Sequence, residues 1–237
     1  MQKSFDLATT ANLYHERYNN VLQRIEHAAT AVQRIPNTIA LLAVSKTKPA
    51  QAIAALYAAG QHDFGENYVQ EGIDKIAELG ELTDITWHFI GALQSNKTKD
   101  VAANFDWVHS IDRGKIVHRL NEQRPKHLAP LQCLVQVNID DEPTKAGVQL
   151  SELGEIAEQI DKASHLTLRG IMAIPNPDVS DQEKHNSFQR LENVMQELRA
   201  KYPSIDTLSL GMSNDLEAAV AHGSTMVRIG TALFGKR

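Results

Sequence analysis

The chain has 237 residues, of which 42% are hydrophobic and 22% charged, and a formal net charge of −5. That balance gives no general attraction to nucleic acid or to acidic membrane surfaces. Cys133 is the only cysteine; an intramolecular disulfide is excluded, and within the apolar run LQCLVQV the thiol reads as buried and structural.

The opening MQKSFDLATTANLYHERYNN lacks the apolar stretch of a signal peptide, and no run approaches the ~18 apolar residues of a membrane span. A soluble cytoplasmic protein is expected. Tyr14, Tyr18, Val21, Ile25, Ala28 and Val32 recur at spacings of three and four, which predicts a leading helix that Pro36 and Asn37 end. Eight short apolar runs follow as predicted strands: Ile39–Lys46, His62–Asn67, Trp87–Ala92, Trp107–Ile111, Leu131–Asn138, Leu166–Ile174, Thr207–Met212 and Met226–Phe234. Helical patterns lie between them, among them Ala50–Ala59, Val69–Leu79, Leu150–Asp161 and Gln182–Lys201. Gly60 and Gly80 fall where helix C-caps are expected, and Lys97 with Lys99 reads as a solvated helix start.

Strands that alternate with helices predict a parallel sheet. Many of the runs are apolar on both faces, as parallel strands are. Eight units in this length predict an α/β fold, a single (β/α)8 TIM barrel, for which ~250 residues is typical. An open doubly wound sheet is weakened because no G-x-G-x-x-G follows an early strand. The loop PNPDVSDQEKHN reads as a barrel loop and not a boundary. Residues 1–237 are therefore expected to form one domain, with the helix of residues 1–36 packed on the barrel.

The active face of such barrels lies at the C-terminal ends of the strands. Lys46 follows the first run there, and Glu66 and Asn67 the second. The third carries HFIGALQSNK, which begins at His88, the seventh ends in GMSND, and the eighth carries VRIGTALFG. Gly211, Ser213, Asn214, Gly230 and Thr231 suit a phosphate cradle: glycine admits the anion to the backbone, hydroxyls donate to it, and a helix starting near Asp215 directs N–H groups inward. A lysine amine facing such a cradle suits a phosphorylated carbonyl compound, held by its phosphate while the amine forms a Schiff base. Pyridoxal 5′-phosphate is one such compound; a phosphorylated sugar aldehyde in a lysine-type aldolase is another. The residues leave both open.

Each residue taken singly has a plainer reading. A lysine at a strand end is usually a solvated charge, Glu66 with Asn67 could cap a helix, and His88 fits a hydrogen-bonded core position. No H-E-x-x-H or Cys/His spacing points to a metal, and no G-x-S-x-G points to a serine hydrolase. The joint placement on one barrel face shifts the balance.

Together, AVSKTKP, FGENYVQE, WHFIGALQSNK, VHSID, EPTKAGV, GIMAIP, LSLGMSND and GSTMVRIGTALFG resemble the pyridoxal phosphate homeostasis proteins, the YggS/PROSC family. The resemblance implies a barrel like the N-terminal domain of bacterial alanine racemase, the type III pyridoxal phosphate fold. It implies pyridoxal 5′-phosphate (PLP) as cofactor, with Lys46 as the lysine of the internal aldimine. Ser213, Gly230 and Thr231 match phosphate-binding positions, with Asn214 beside them, and Arg228 matches the arginine that faces the pyridine nitrogen. Asn67 matches an asparagine that lines the pocket, and His88 and Met212 look like its neighbours. The implied role is intracellular vitamin B6 balance by a monomeric carrier or buffer without a metal or catalytic residues, serving apo forms of PLP-dependent enzymes. Two alternatives stand: an amino-acid racemase of the same fold type, which would add a β-domain and a tyrosine from the partner subunit for which no segment is seen, and a Schiff-base aldolase. Lys48, two residues on and equally basic, is a second candidate for the Schiff base.

Overall fold

A computed structural model describes residues 7–235 apart from 141, 143, 144 and 177, with side chains from residue 12 onward. The start of the leading segment and part of EPTKAGV lie outside the described residues. Eight parallel strands close on themselves: β1 (Ala40–Val44), β2 (Asp63–Glu66), β3 (Thr86–Phe89), β4 (Trp107–Ile111), β5 (Leu131–Val137), β6 (Leu166–Ala173), β7 (Thr207–Ser209) and β8 (Met226–Ile229). The closing pair sets Leu42 of β1 against Arg228 of β8. The expected (β/α)8 barrel is the observed fold.

Successive side chains of a strand point to opposite faces, and that alternation builds two different environments. Leu41 and Ala43, Trp87 and Phe89, and Val227 and Ile229 face outward into the main apolar core, beneath the helices. Leu42, His88 and Arg228 lie between them on the inner face. Leu42, Leu134, Met172 and Met226 are buried apart from that outer core, and His88, His109, Ser209 and Arg228 are buried polar residues of β3, β4, β7 and β8. The barrel interior is therefore partly polar, and its polar groups need partners within the barrel.

The helices are α1 (Leu7–Ala31), α2 (Ala50–Ala58), α3 (Val69–Glu78), α4 (Thr98–Asn104), α5 (Gly114–Gln123), α6 (Leu150–Asp161), α7 (Asp181–Lys201), α8 (Leu216–Ala221) and α9 (Thr231–Phe234). A capping box starts α7, where Ser180 and Glu183 satisfy each other's backbone N–H groups. The apolar stripe of α1, Val21, Ile25, Ala28 and Ala29, is buried where the helix meets α2, α8 and α9. Arg24 of α1 also holds Glu217 of α8 through both carboxylate oxygens, at 2.9 and 3.0 Å.

Several boundaries differ from expectation. The last run is not one strand: β8 stops at Ile229, and Thr231–Phe234 coils into α9. Its apolar residues Leu233 and Phe234 are buried by helical packing, which a short apolar run cannot distinguish from strand burial. The first run stops at Val44, before Lys46, and the seventh at Ser209, before Met212. The leading helix ends at Ala31, ahead of a 3₁₀ turn at Pro36–Thr38. Gly60 has a left-handed φ of 106° after α2 as a C-cap glycine should, but Gly80 does not.

Candidate functional site at the mouth of the barrel

Lys46 sits on a braced turn. Ser45 N–H donates to Gly65 O at 3.0 Å, and Lys48 N–H returns to Ser45 O at 3.0 Å. Between them Thr47 has φ 63°, a conformation that β-branched residues seldom adopt. Such backbone costs on the order of 1–3 kcal/mol and persists where its surroundings over-determine it. The surroundings here are ionic. Glu71 Oε1 accepts from Thr47 N–H at 2.5 Å, and Lys75 Nζ donates to Ser45 O at 2.8 Å, to Glu66 Oε1 at 2.7 Å and to Glu71 Oε1 at 2.6 Å. Ser45 Oγ donates to Glu66 Oε1 at 2.6 Å. Burial raises the pKa of the Glu66 carboxyl, and the bonds from Lys75 and Ser45 partly offset it.

The turn leaves Lys46 half-buried at the C-terminal end of β1, in phase with the inward-facing Leu42, and its amine has no partner among the described residues. Lys48 is differently placed: its Nζ donates to Gly235 O at 3.2 Å, beyond α9.

Arg228 lies on the inner face of β8. Its Nη1 donates to Ser209 O at 2.6 Å and to Ser209 Oγ at 2.8 Å, and its Nη2 donates to Ala173 O at 2.8 Å. No carboxylate among the described residues touches it. Burial pushes its pKa down to about 10, partly offset by the charge of Asp215, so it remains a cation at neutral pH. Nε takes no part in these bonds.

The loops after β7 and β8 bring the remaining candidates to the same end. Gly211 has φ 93°, and a Cβ there would lie 2.5 Å from the Ala219 side chain, so the chain passes α8 only as glycine. Met212 is exposed; its N–H donates to Asp215 Oδ1 at 2.6 Å, which closes the turn that presents half-buried Ser213 and exposed Asn214. Arg24 of α1 reaches Ser213 O at 3.1 Å and ties this loop to the leading helix. Gly230 precedes α9, and Thr231, exposed, is its first residue. On the other side of β1, Asn67 follows β2, with its Oδ1 buried and unpartnered. The chain after β3 crosses it so closely that a Cβ at Gly91 would lie 2.0 Å from Asn67 O.

His88 is fully buried in the interior with both ring nitrogens bonded, to His109 and to Asp63. Among the described residues no cluster of three or more His, Cys, Asp or Glu could hold a metal ion.

Residues 21–237 match the family model of the alanine racemase N-terminal domain. The pyridoxal phosphate homeostasis protein of Escherichia coli (strain K12) is 55% identical over 219 residues, covering 92% of this chain and 94% of that protein. The chain belongs to the pyridoxal phosphate homeostasis protein family. Another member, from Haemophilus influenzae, is 50% identical over 95% of this chain and 96% of its own length. The solved structure of PipY from Synechococcus elongatus PCC7942 with PLP bound is 37% identical, covers 89% of this chain and 99% of that one, and superposes with a TM-score of 0.77. Alanine racemase from Corynebacterium glutamicum shares the fold, at 15% identity and a TM-score of 0.70, with 62% of its chain covered.

Two groups of residues in this family member escaped the sequence reading. Glu71 and Lys75 on α3 belong to the brace beneath Lys46; their spacing of four marked a helix pair but not its targets, the turn after β1 and Glu66 of β2. Asp63, His109 and Ser209 surround His88 and Arg228, and the visible signal was polar residues at inward positions of otherwise apolar strands.

Proposed function

We propose that this chain binds PLP at the C-terminal mouth of the barrel, with Lys46 as its covalent anchor, and carries or buffers the cofactor in vitamin B6 homeostasis without turning over a substrate. The observation that carries the reading is an uncommitted amine, Lys46, on a strained and ionically braced turn, while its neighbours Lys48 and Lys75 are both engaged. The names of the relatives and the cofactor in PipY support it.

The residues fit the group. Lys46 offers the amine, and the buried, unpartnered Asn67 Oδ1 is an acceptor that costs about 1–3 kcal/mol while it lacks a donor. Ser213 and Thr231 offer hydroxyl donors for a phosphate, with backbone N–H groups at Asn214 and Gly230 beside them. When bound, the cofactor supplies an aldehyde for condensation with an amine and a ring that can accept electrons. Arg228, cationic at neutral pH, disfavours a second positive charge on a nearby pyridine nitrogen, so the ring stays a weak electron sink. That suits holding over turnover. On this reading the 237 residues act as one monomeric unit in the cytoplasm, and the recipients are apo forms of PLP-dependent enzymes.

Reconstitution tests it. Purified protein incubated with PLP should turn yellow and lose the band when Lys46 is replaced by alanine; a chain that stays colourless and retains no PLP contradicts the reading. Faster transfer to an apo-enzyme than release into solution would identify a direct donor, and equal rates a buffer.

A further inference from the structure

Arg228 is joined to Asp63, at the start of β2, by an unbroken chain of hydrogen bonds across the barrel. Ser209 Oγ accepts from Arg228 Nη1 at 2.8 Å and lies 3.2 Å from His109 Nδ1. His109 Nε2 is 2.9 Å from His88 Nδ1, and His88 Nε2 is 3.0 Å from Asp63 Oδ1. Ser209, His109 and His88 are fully buried, whereas the Asp63 side chain is 37% exposed.

The chemistry of the two ends gives the chain a direction. A guanidinium only donates and a carboxylate only accepts. If every link is made, Ser209 donates to His109 Nδ1, His109 Nε2–H to His88 Nδ1, and His88 Nε2–H to Asp63. Both imidazoles are then neutral and carry their proton on Nε2. Burial lowers the pKa of His109 well below the usual range, with further lowering from His88 and Arg228, in keeping with a neutral ring. The His88 ring is also stacked on Trp107, at 5.2 Å and 15° between planes, which fixes where its nitrogens point. All the bond dipoles are aligned, and such chains strengthen cooperatively.

We propose that Asp63 is a remote positioning residue for the cofactor's ring nitrogen: through His88, His109 and Ser209 it orients Arg228 and stabilises its charge, which no carboxylate among the described residues contacts directly. This rests on the reading that Arg228 faces that nitrogen. Asp63→Asn, which is nearly isosteric, replaces an end that can only accept with one that can also donate. An amide can donate to His88 Nε2, so both imidazoles can shift their proton to Nδ1 and turn their dipoles toward Arg228.

Nitrogen NMR of labelled histidines in the cofactor-free protein tests the chain by itself. The expected result is Nε2–H for both His88 and His109, and Nδ1–H for both in Asp63→Asn; a wild-type protein with either ring protonated on Nδ1 overturns the proposal. Binding then tests the consequence, with PLP and its carbocyclic analogue that has C–H in place of the ring nitrogen. Asp63→Asn should weaken PLP about three- to tenfold, the scale of one weakened charged hydrogen bond, shift its absorption band, and leave the analogue unchanged. Equal weakening of both ligands would mean a merely structural role, and unchanged PLP binding would mean no coupling; either overturns it. Ser209→Ala, which cuts the chain beside Arg228, should give the same PLP-selective loss. If the wild-type protein binds no PLP, it is the cofactor reading that fails, and the tautomer result still stands on its own.

Discussion

Lys75 Nζ and Glu66 Oε1 lie 2.7 Å apart with both side chains almost wholly buried, and Lys75 also donates to the carbonyl of Ser45, the residue before Lys46. Removing one partner of such a pair leaves an uncompensated buried charge and costs about 3–5 kcal/mol. Lys75→Met should lower the unfolding free energy by about that amount at neutral pH. Since the pKa of Glu66 is already raised by burial, losing Lys75 raises it further. The folded variant then gains stability as pH falls and Glu66 takes up a proton, so its deficit should narrow toward the carboxylate range. Urea titrations of both proteins at several pH values measure this; a deficit independent of pH would remove Glu66 from the account.

Lys46, and not Lys48, should carry the cofactor. Borohydride reduction of the loaded protein followed by peptide mapping should place the label on Lys46, because Lys48 is turned to Gly235 O. A label on Lys48 with Lys46 unmodified contradicts the assignment.

Thr231 and Ser213 should act on the phosphate. Deleting one hydroxyl donor to an anion costs about 1.5–3 kcal/mol, or roughly ten- to a hundredfold in affinity. Thr231→Ala should lose that much for PLP and little for pyridoxal, measured by equilibrium titration. Equal losses for both would place Thr231 outside the cradle.

The loaded protein should exchange α-protons of amino acids negligibly. Arg228 stays cationic below about 10, which keeps a neighbouring ring nitrogen unprotonated and disfavours a carbanion. Alanine and other amino acids incubated in deuterated water should show no α-deuteration above a control without protein. Rapid incorporation that depends on Lys46 would establish a catalyst of the racemase kind.

Cys133 should be inert in the folded state. Its thiol is wholly buried, and burial raises its pKa strongly, which suppresses the reactive thiolate. Ellman's reagent should modify it only as fast as the chain unfolds; rapid stoichiometric reaction under native conditions would contradict the burial.

Local pattern determined the architecture. Eight short apolar runs alternating with helical periodicity leave a parallel sheet as the economical solution, because each strand must be covered on its outer face. The same order places Lys46, Asn67, Ser213, Arg228 and Thr231 at or near the C-terminal ends of strands, where barrels assemble their sites. Periodicity, however, reports which face of an element is apolar and not what a polar side chain meets. The bonds from Lys75 to Ser45 and Glu66 became visible only when α3 packed against β2 and β3. Thr231–Phe234 became a helix and not a strand because tertiary packing, not its apolar content, decided the matter. The chain from Asp63 to Arg228 draws on β2, β3, β4, β7 and β8, and its ends are 165 positions apart in sequence. Those five inward positions meet only once the barrel closes and its register sets the height of each residue.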